Sequence, residues 1–113
     1  KGKYGVIDKD GKYFLDSKYD KISRNRFGSF DIELDNKFGL YDAELKKVAS
    51  VEFSEANEVS EGRVIVKRRG LFGVLNSEGR FTIPLMYNNI THLKGGKYMV
   101  VSENKLLREE KLK

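Results

Sequence analysis

The chain has 113 residues, of which 39% are hydrophobic and 35% charged, and its net charge is +5. That length suits one domain with a modest core, and the absence of cysteine excludes disulfide frameworks, thiol nucleophiles and cysteine-rich zinc sites. No apolar run approaches the roughly 20 residues of a membrane helix, and no signal peptide is visible, so the compartment is left open.

The first segment, Tyr4-Gly5-Val6-Ile7-Asp8, reads as a short strand running into a turn. Lys9-Asp10-Gly11 supplies that turn, and Tyr13-Phe14-Leu15 starts a second strand. Tyr19 and Ile22 follow in a polar stretch, and Gly28 precedes a third strand, Ser29–Leu34, in strict apolar/polar alternation. A polar turn, Asp35-Asn36-Lys37, then leads into Phe38-Gly39, and the whole series begins again.

It recurs with a step of 34 residues in three series: Tyr4-Gly5, Phe38-Gly39 and Phe72-Gly73; Tyr19, Phe53 and Tyr87; Gly28, Gly62 and Gly96. One structural unit is therefore copied along the chain as 1–34, 35–68 and 69–102. We expect these three copies to form one domain over 1–102, with 103–113 as a degenerate fourth copy or a C-terminal cap. Leu106-Leu107 stands there where the aromatic-Gly pair is due. The opening turn Lys1-Gly2-Lys3 matches Asp35-Asn36-Lys37, so the chain reads as an excerpt from a longer array whose first strand offers a free edge at 4–8.

A helical repeat of the same period is rejected, because the alternation has period two and the 11 glycines fall at turns. The expected fold is all-β: tandem antiparallel hairpin repeats in an open twisted meander or short superhelix, with a partial β-propeller as the alternative. The glycine after each aromatic is expected to lie beneath a neighbouring ring, with a local bulge as the alternative. In the second copy Leu45 replaces the turn glycine, so that turn should differ or be strained.

These residues resemble the WG (KWG) repeat family, across about 1–102, with Tyr4, Phe38 and Phe72 standing where the family usually has Trp. The resemblance implies an all-β array of hairpin units, typical of bacterial proteins, with no defined activity and a role as an interaction or structural module.

Each candidate site weighs little on its own. Asp8-Lys9-Asp10-Gly11 resembles part of a calcium loop, but Val6 occupies the position of a further ligand, and a hairpin turn is the better reading. His92 is the only histidine, with no nucleophile and acid in a repeating set around it. Glu52, Glu55, Glu58 and Glu61 read as a solvated polar connection that could serve as an acidic docking patch. No catalytic residue, metal ligand or cofactor site is expected, and the chain is read as a non-enzyme.

The favoured function is a non-catalytic module for protein–protein interaction or structural spacing. Its expected partner surface is the increasingly apolar second face of the third strands, at Ile65, Met99 and Val101, together with the free edge. The partner is an unknown protein or another copy of the chain. The first alternative is polyanion or nucleic-acid binding through Arg63, Lys67, Arg68 and Arg69. The middle copy is net negative, with seven acidic residues against six basic ones, which breaks any continuous basic stripe and disfavours nucleic acid. The second alternative is glycan binding by Tyr19, Phe53 and Tyr87, which requires those rings to be exposed.

Overall fold

A computed structural model describes residues 2–102 of the chain, so the expected cap at 103–113 lies outside the described residues. The described part is all-β. Its strands are β1 (Tyr4–Ile7), β2 (Tyr13–Tyr19), β3 (Lys21–Arg24), β4 (Phe30–Leu34), β5 (Lys37–Tyr41) and β6 (Lys47–Phe53). They continue as β7 (Glu55–Ser60), β8 (Arg63–Arg68), β9 (Leu71–Leu75), β10 (Phe81–Tyr87), β11 (Asn89–His92) and β12 (Tyr98–Val101). One short 3-10 turn, Lys94–Gly96, joins the last two.

Each repeat therefore holds four strands rather than the three expected. The extra strand is β3, with β7 and β11 as its counterparts. Its sequence, Lys21-Ile22-Ser23-Arg24, has little strand propensity of its own. Pairing against β4 from Lys21↔Glu33 to Arg24↔Phe30 forms it, so tertiary context overrides local preference. For the same reason Glu55 and Glu58 lie in strand β7 and not in a connection.

The strands form four antiparallel sheets in chain order: β1–β2, then β3–β4–β5–β6, then β7–β8–β9–β10, then β11–β12. Sheet boundaries fall at Asp20, Ser54 and Asn88, again 34 residues apart. Each four-stranded sheet thus takes its first hairpin from one sequence copy and its second from the next. A single residue carries the chain from one sheet to the following one. That residue's amide already pairs with the new sheet: Asp20 N to Glu33 O at 2.9 Å, Ser54 N to Lys67 O at 2.9 Å, Asn88 N to Val101 O at 2.7 Å.

The two copies meet within a sheet through two-residue hairpins. Leu34 pairs with Lys37 around Asp35 and Asn36, at φ 53° and 63°. Arg68 pairs with Leu71 around Arg69 and Gly70, at φ 54° and 82°. Two successive left-handed residues make a type I′ turn, whose twist matches that of the strands it joins.

The first and second strands of each unit meet differently. Tyr4 pairs with Tyr19 and Val6 with Leu15, so three residues of β2 face the single Gly5. Phe38↔Phe53 with Leu40↔Ala49, and Phe72↔Tyr87 with Val74↔Ile83, repeat the bulge opposite Gly39 and Gly73. This corrects the expectation of a ring over the glycine. Backbone fills the space instead: a Cβ on Gly39 would lie 2.6 Å from Ala49 O and 2.8 Å from Ser50 C. The single proline, Pro84, sits in the third bulge, where its missing amide breaks no ladder.

Three apolar clusters fill the spaces between consecutive sheets. Leu15, Tyr19 and Ile32 join the first sheet to the second. Leu40, Val48, Phe53, Val64 and Val66 join the second to the third. Ile65, Val74 and Ile90 join the third to the fourth. Strand β8 is buried at Val64, Ile65 and Val66 in succession because its sheet is covered on both faces. The main contacts run only between consecutive sheets. The array is therefore open, and the sheets do not close radially as propeller blades would.

Leu45 does take the left-handed conformation of Gly11 and Gly79, at φ 65° against 87° and 80°. Its amide closes the same turn onto Asp42 O at 2.8 Å. The conformation costs about 1–2 kcal/mol for a non-glycine residue, and the half-buried side chain recovers part of it in the first cluster. Leu45→Ala keeps the strain and loses the contact, so we expect a loss of about 1–2 kcal/mol in denaturant unfolding. Leu45→Gly removes both, and is expected to be about 1 kcal/mol more stable than Leu45→Ala. An alanine variant at least as stable as the glycine variant would mean that the turn is unstrained.

Candidate interaction surface

The side chains of the sequence series are spent mostly on the fold. Tyr19 and Phe53 are buried, 7% and 3% exposed, and Tyr87 is half-buried against the last cluster. These rings close the spaces between sheets and are not available to stack on a sugar. Phe38 and Phe72 are half-buried, and only Tyr4 is exposed. Gly28 and Gly62 both form turns with positive φ, as does Gly96 within the 3-10 turn.

Asp8, Asp42 and Asn76 each use one side-chain oxygen to accept two backbone amides of their own turn. Asp8 Oδ1 accepts from Asp10 N at 2.8 Å and Lys12 N at 2.9 Å. Asp42 and Asn76 repeat the pattern onto residues two and four further along. That is turn chemistry. His92 lies with its ring centroid 5.6 Å from that of Tyr98, tilted.

The basic residues are not gathered into one patch. Lys67 and Arg68 are successive residues of β8, so their side chains leave opposite faces of the sheet. Lys67 lies 3.8 Å from Glu55 and over the Phe72 ring. Arg68 lies 3.2 Å from Glu52 and over the Phe53 ring. Arg69 is in the I′ turn, and Arg63 Nη1 donates to Gly62 O at 3.1 Å. The acidic row is divided in the same way, since Glu52 and Glu55 take these two cations.

Glu58 departs further from the solvated reading. It accepts Asn25 Nδ2 at 2.9 Å through one oxygen and Gly62 N at 2.9 Å through the other. Asn25 in turn accepts Phe27 N and Ser29 N, and its amide group reaches Asp31 Oδ1 at 3.5 Å. The result is a polar bridge between the second and third sheets. Burial, reinforced by the nearby Glu58 charge, pushes the Asp31 carboxyl above its ordinary value, against the Asn25 hydrogen bond. A raised folded value means that protonation favours the fold. That contribution is fully present below the unfolded value of 3.8 and is lost as pH rises through the folded one. Asp31→Asn should therefore raise stability at pH 7, by about 0.5 kcal/mol after solvent screening. It should also flatten the fall in stability across the carboxylate range. A variant less stable than the parent at pH 7 would contradict this.

Near that bridge a cavity of about 240 Å³ is lined by Phe27, Leu40, Glu58, Glu61 and Val64, among others. A second, of about 200 Å³, lies between Asp31, Phe38 and Asn57. Both are smaller than the roughly 300 Å³ at which small-molecule pockets begin.

The expected partner face, Ile65 with Met99 and Val101, is divided by the structure. Ile65 is only 7% exposed, because Ile90 of the next sheet covers it together with Val74. Met99 and Val101 stand at 54% and 47% exposure. Sequence position is the same for Ile65 and Met99, one repeat apart; coverage decides. At the other end Tyr4, Ile7, Tyr13 and Phe14 are exposed on the first sheet. Among the described residues, large apolar side chains thus surface chiefly on or beside the first and last sheets, with Phe81 and Met86 exposed on β10 of the third. No helix among the described residues is long and apolar enough to cross a membrane.

A chain of antiparallel hairpins in fixed register, sharing sheets between successive copies, defines an open β-repeat array. The family described as WG containing repeat matches residues 4–37 and 72–105, and the chain belongs to it. No curated protein and no solved structure matches the chain. The copy between the two matched segments keeps the same strands and the same bulge opposite Gly39.

Proposed function

We propose that this repeat module is non-catalytic and makes protein–protein contacts through its first and last described sheets. One observation carries the reading: most of the exposed large apolar residues lie on or beside the first and last described sheets, with Phe81 and Met86 on β10 the exceptions. A two-stranded sheet is marginal alone, and its open edge is a template for another strand. Contact by strand addition uses backbone hydrogen bonds for affinity and alternate side chains for specificity.

The polyanion alternative has weaker support, because Lys67 and Arg68 leave opposite faces and already meet Glu55 and Glu52. A labelled hexapeptide of alternating Val and Thr separates the two readings by fluorescence anisotropy. Strand addition at β1 and β12 predicts saturable binding at micromolar to millimolar concentration, lost when the outer edges of these two strands are blocked by Ile7→Pro and Val100→Pro. It also predicts no retention on heparin at about 150 mM salt. No peptide binding, together with heparin retention that falls steeply with salt, would replace this reading with polyanion binding.

A further inference from the structure

The larger cavity, between the second and third sheets, reverses the charge balance of the chain. Its volume of about 240 Å³ is too small for a drug-sized ligand but ample for a single side chain. Part of the lining is apolar and buried: Leu40 of β5, Val48 of β6 and Val64 of β8. Carboxylates supply most of the rest. Asp42 and Glu58 are half-buried, and Glu44 and Glu61 stand exposed at the mouth. No Lys or Arg lines the cavity, although the chain carries 22 of them against 17 acidic residues. Among the described residues none of these four carboxylates forms an ion pair. Arg26 lies over the ring of its neighbour Phe27 at 4.9 Å and lines no part of the cavity.

Ser29 adds an unused hydroxyl. The residue is 6% exposed and lines the same cavity. Its backbone is engaged with Asn25, donating to Asn25 Oδ1 and accepting from Asn25 N. Its Oγ makes no hydrogen bond among the described residues, and none of their buried side-chain oxygens is both sealed from solvent and unpartnered. Ser29 Oγ therefore opens onto the cavity.

We propose that this cavity receives an arginine side chain from a partner protein. The methylene stem packs on Leu40, Val48 and Val64, and the charged head meets the hydroxyl and the carboxylates. The acidic groups do not converge on a point, since no set of three among the described residues could hold a metal ion. Spaced acceptors suit the guanidinium, which spreads five donors in a plane and is weakly hydrated, better than a compact ammonium. β1 and β12 line no part of the cavity, so the inference does not rest on strand addition.

The repeat confines the site to this junction. At the preceding one Arg24 stands in place of Glu58, donating to Gly28 O at 3.0 Å, and Lys9 stands in place of Ala43. At the following one Arg63 stands in place of Ser29, and Gly95 in place of Glu61. Each change brings in a cation or removes an acid, so one arginine per chain is expected.

Amide chemical shifts of the full chain, titrated with acetyl-Gly-Gly-Arg-Gly-Gly-amide, test this. Saturable one-to-one shifts should centre on Ser29, Leu40, Gly62 and Val64, with half-saturation in the low millimolar range. Citrulline in place of arginine keeps the shape and loses the charge, and should weaken binding about ten-fold or more. Lysine should weaken it several-fold. Glu44→Gln with Glu61→Gln, on two exposed residues, should also cost about ten-fold. Ser29→Ala leaves every charge in place and should cost several-fold. Ile7→Pro and Val100→Pro should change nothing. Citrulline or lysine peptides that bind as well as the arginine peptide overturn the inference, as do shifts that scatter over other acidic residues without saturating. Binding that appears only once Lys105→Gln, Arg108→Gln and Lys111→Gln are introduced also overturns it, because the chain's own basic residues would then be the occupant. Any of these failures leaves strand addition standing, since the Val-Thr peptide tests that separately.

Discussion

Replacing Gly39 by alanine should cost about 3 kcal/mol or more, the largest loss expected for adding one carbon to this chain. The new Cβ would sit 2.6 Å from Ala49 O, 2.8 Å from Ser50 C and 2.8 Å from Val51 Cγ2. Two of these neighbours are backbone atoms of a bulge inside a four-stranded sheet, so no side-chain rotation relieves them. Overpacking a well-ordered site costs about 1–3 kcal/mol when side chains can shift, and more when they cannot. For a domain of this size each kcal/mol lowers the melting temperature by roughly 4–8 °C, so a fall beyond 10 °C is expected. Gly73→Ala should behave alike, since Ile83 O lies 2.7 Å from its Cβ position. Gly5→Ala meets an equally close oxygen, Leu15 O at 2.7 Å. It sits in a two-stranded terminal sheet that can move away, however, and should cost about 1 kcal/mol. Thermal melts of the three variants check the order. Equal effects at all three sites would mean that the bulge, and not the sheet around it, sets the cost.

The second large effect contrasts two residues at one repeat position. Ile65→Ala removes a side chain packed between Val74 and Ile90, and should cost about 2–4 kcal/mol through lost burial and the cavity left behind. Met99→Ala, 34 residues later, removes a side chain that is 54% exposed. Measured at low concentration, it should cost less than about 0.5 kcal/mol. Denaturant midpoints with unchanged slopes give both numbers. A similar loss at both positions would mean that Met99 is covered within a single chain, and that the terminal face is not free.

Period and register carried most of the fold in the sequence. Tyr4-Gly5, Phe38-Gly39 and Phe72-Gly73 place the first strand of every unit where the structure has it, and Asp35-Asn36 marks a turn that proves to be type I′. Strand β3 was hidden because Lys21–Arg24 gains its conformation only from pairing with β4, which local propensity does not report. The role of the signature glycine was also out of reach. A glycine under a ring and one opposite a bulge have the same sequence, and only the register shift from Tyr4↔Tyr19 to Val6↔Leu15 separates them.

The candidate surface was legible in part. The apolar drift of the third strands at Ile65, Met99 and Val101 is real, yet the sequence cannot say that Ile90 covers the first of these. Asn25 carried no signal, because its counterparts Val59 and Leu93 are apolar and break the series. Its bridge to Glu58 is specific to one sheet junction.

Residue-resolved amide exchange with and without the Val-Thr peptide tests most directly that β1 and β12, each paired on one side only among the described residues, are open to strand addition. At high dilution the outward amides of Gly5, Ile7 and Val100 should exchange near their free rates. Their repeat counterparts Gly39, Tyr41 and Val66, paired inside sheets, should be slowed by several orders of magnitude. Adding the peptide should slow the first group and leave the second unchanged. Protection of Gly5 and Val100 equal to that of Gly39 and Val66 at high dilution would contradict it, because both edges would then be covered within one chain.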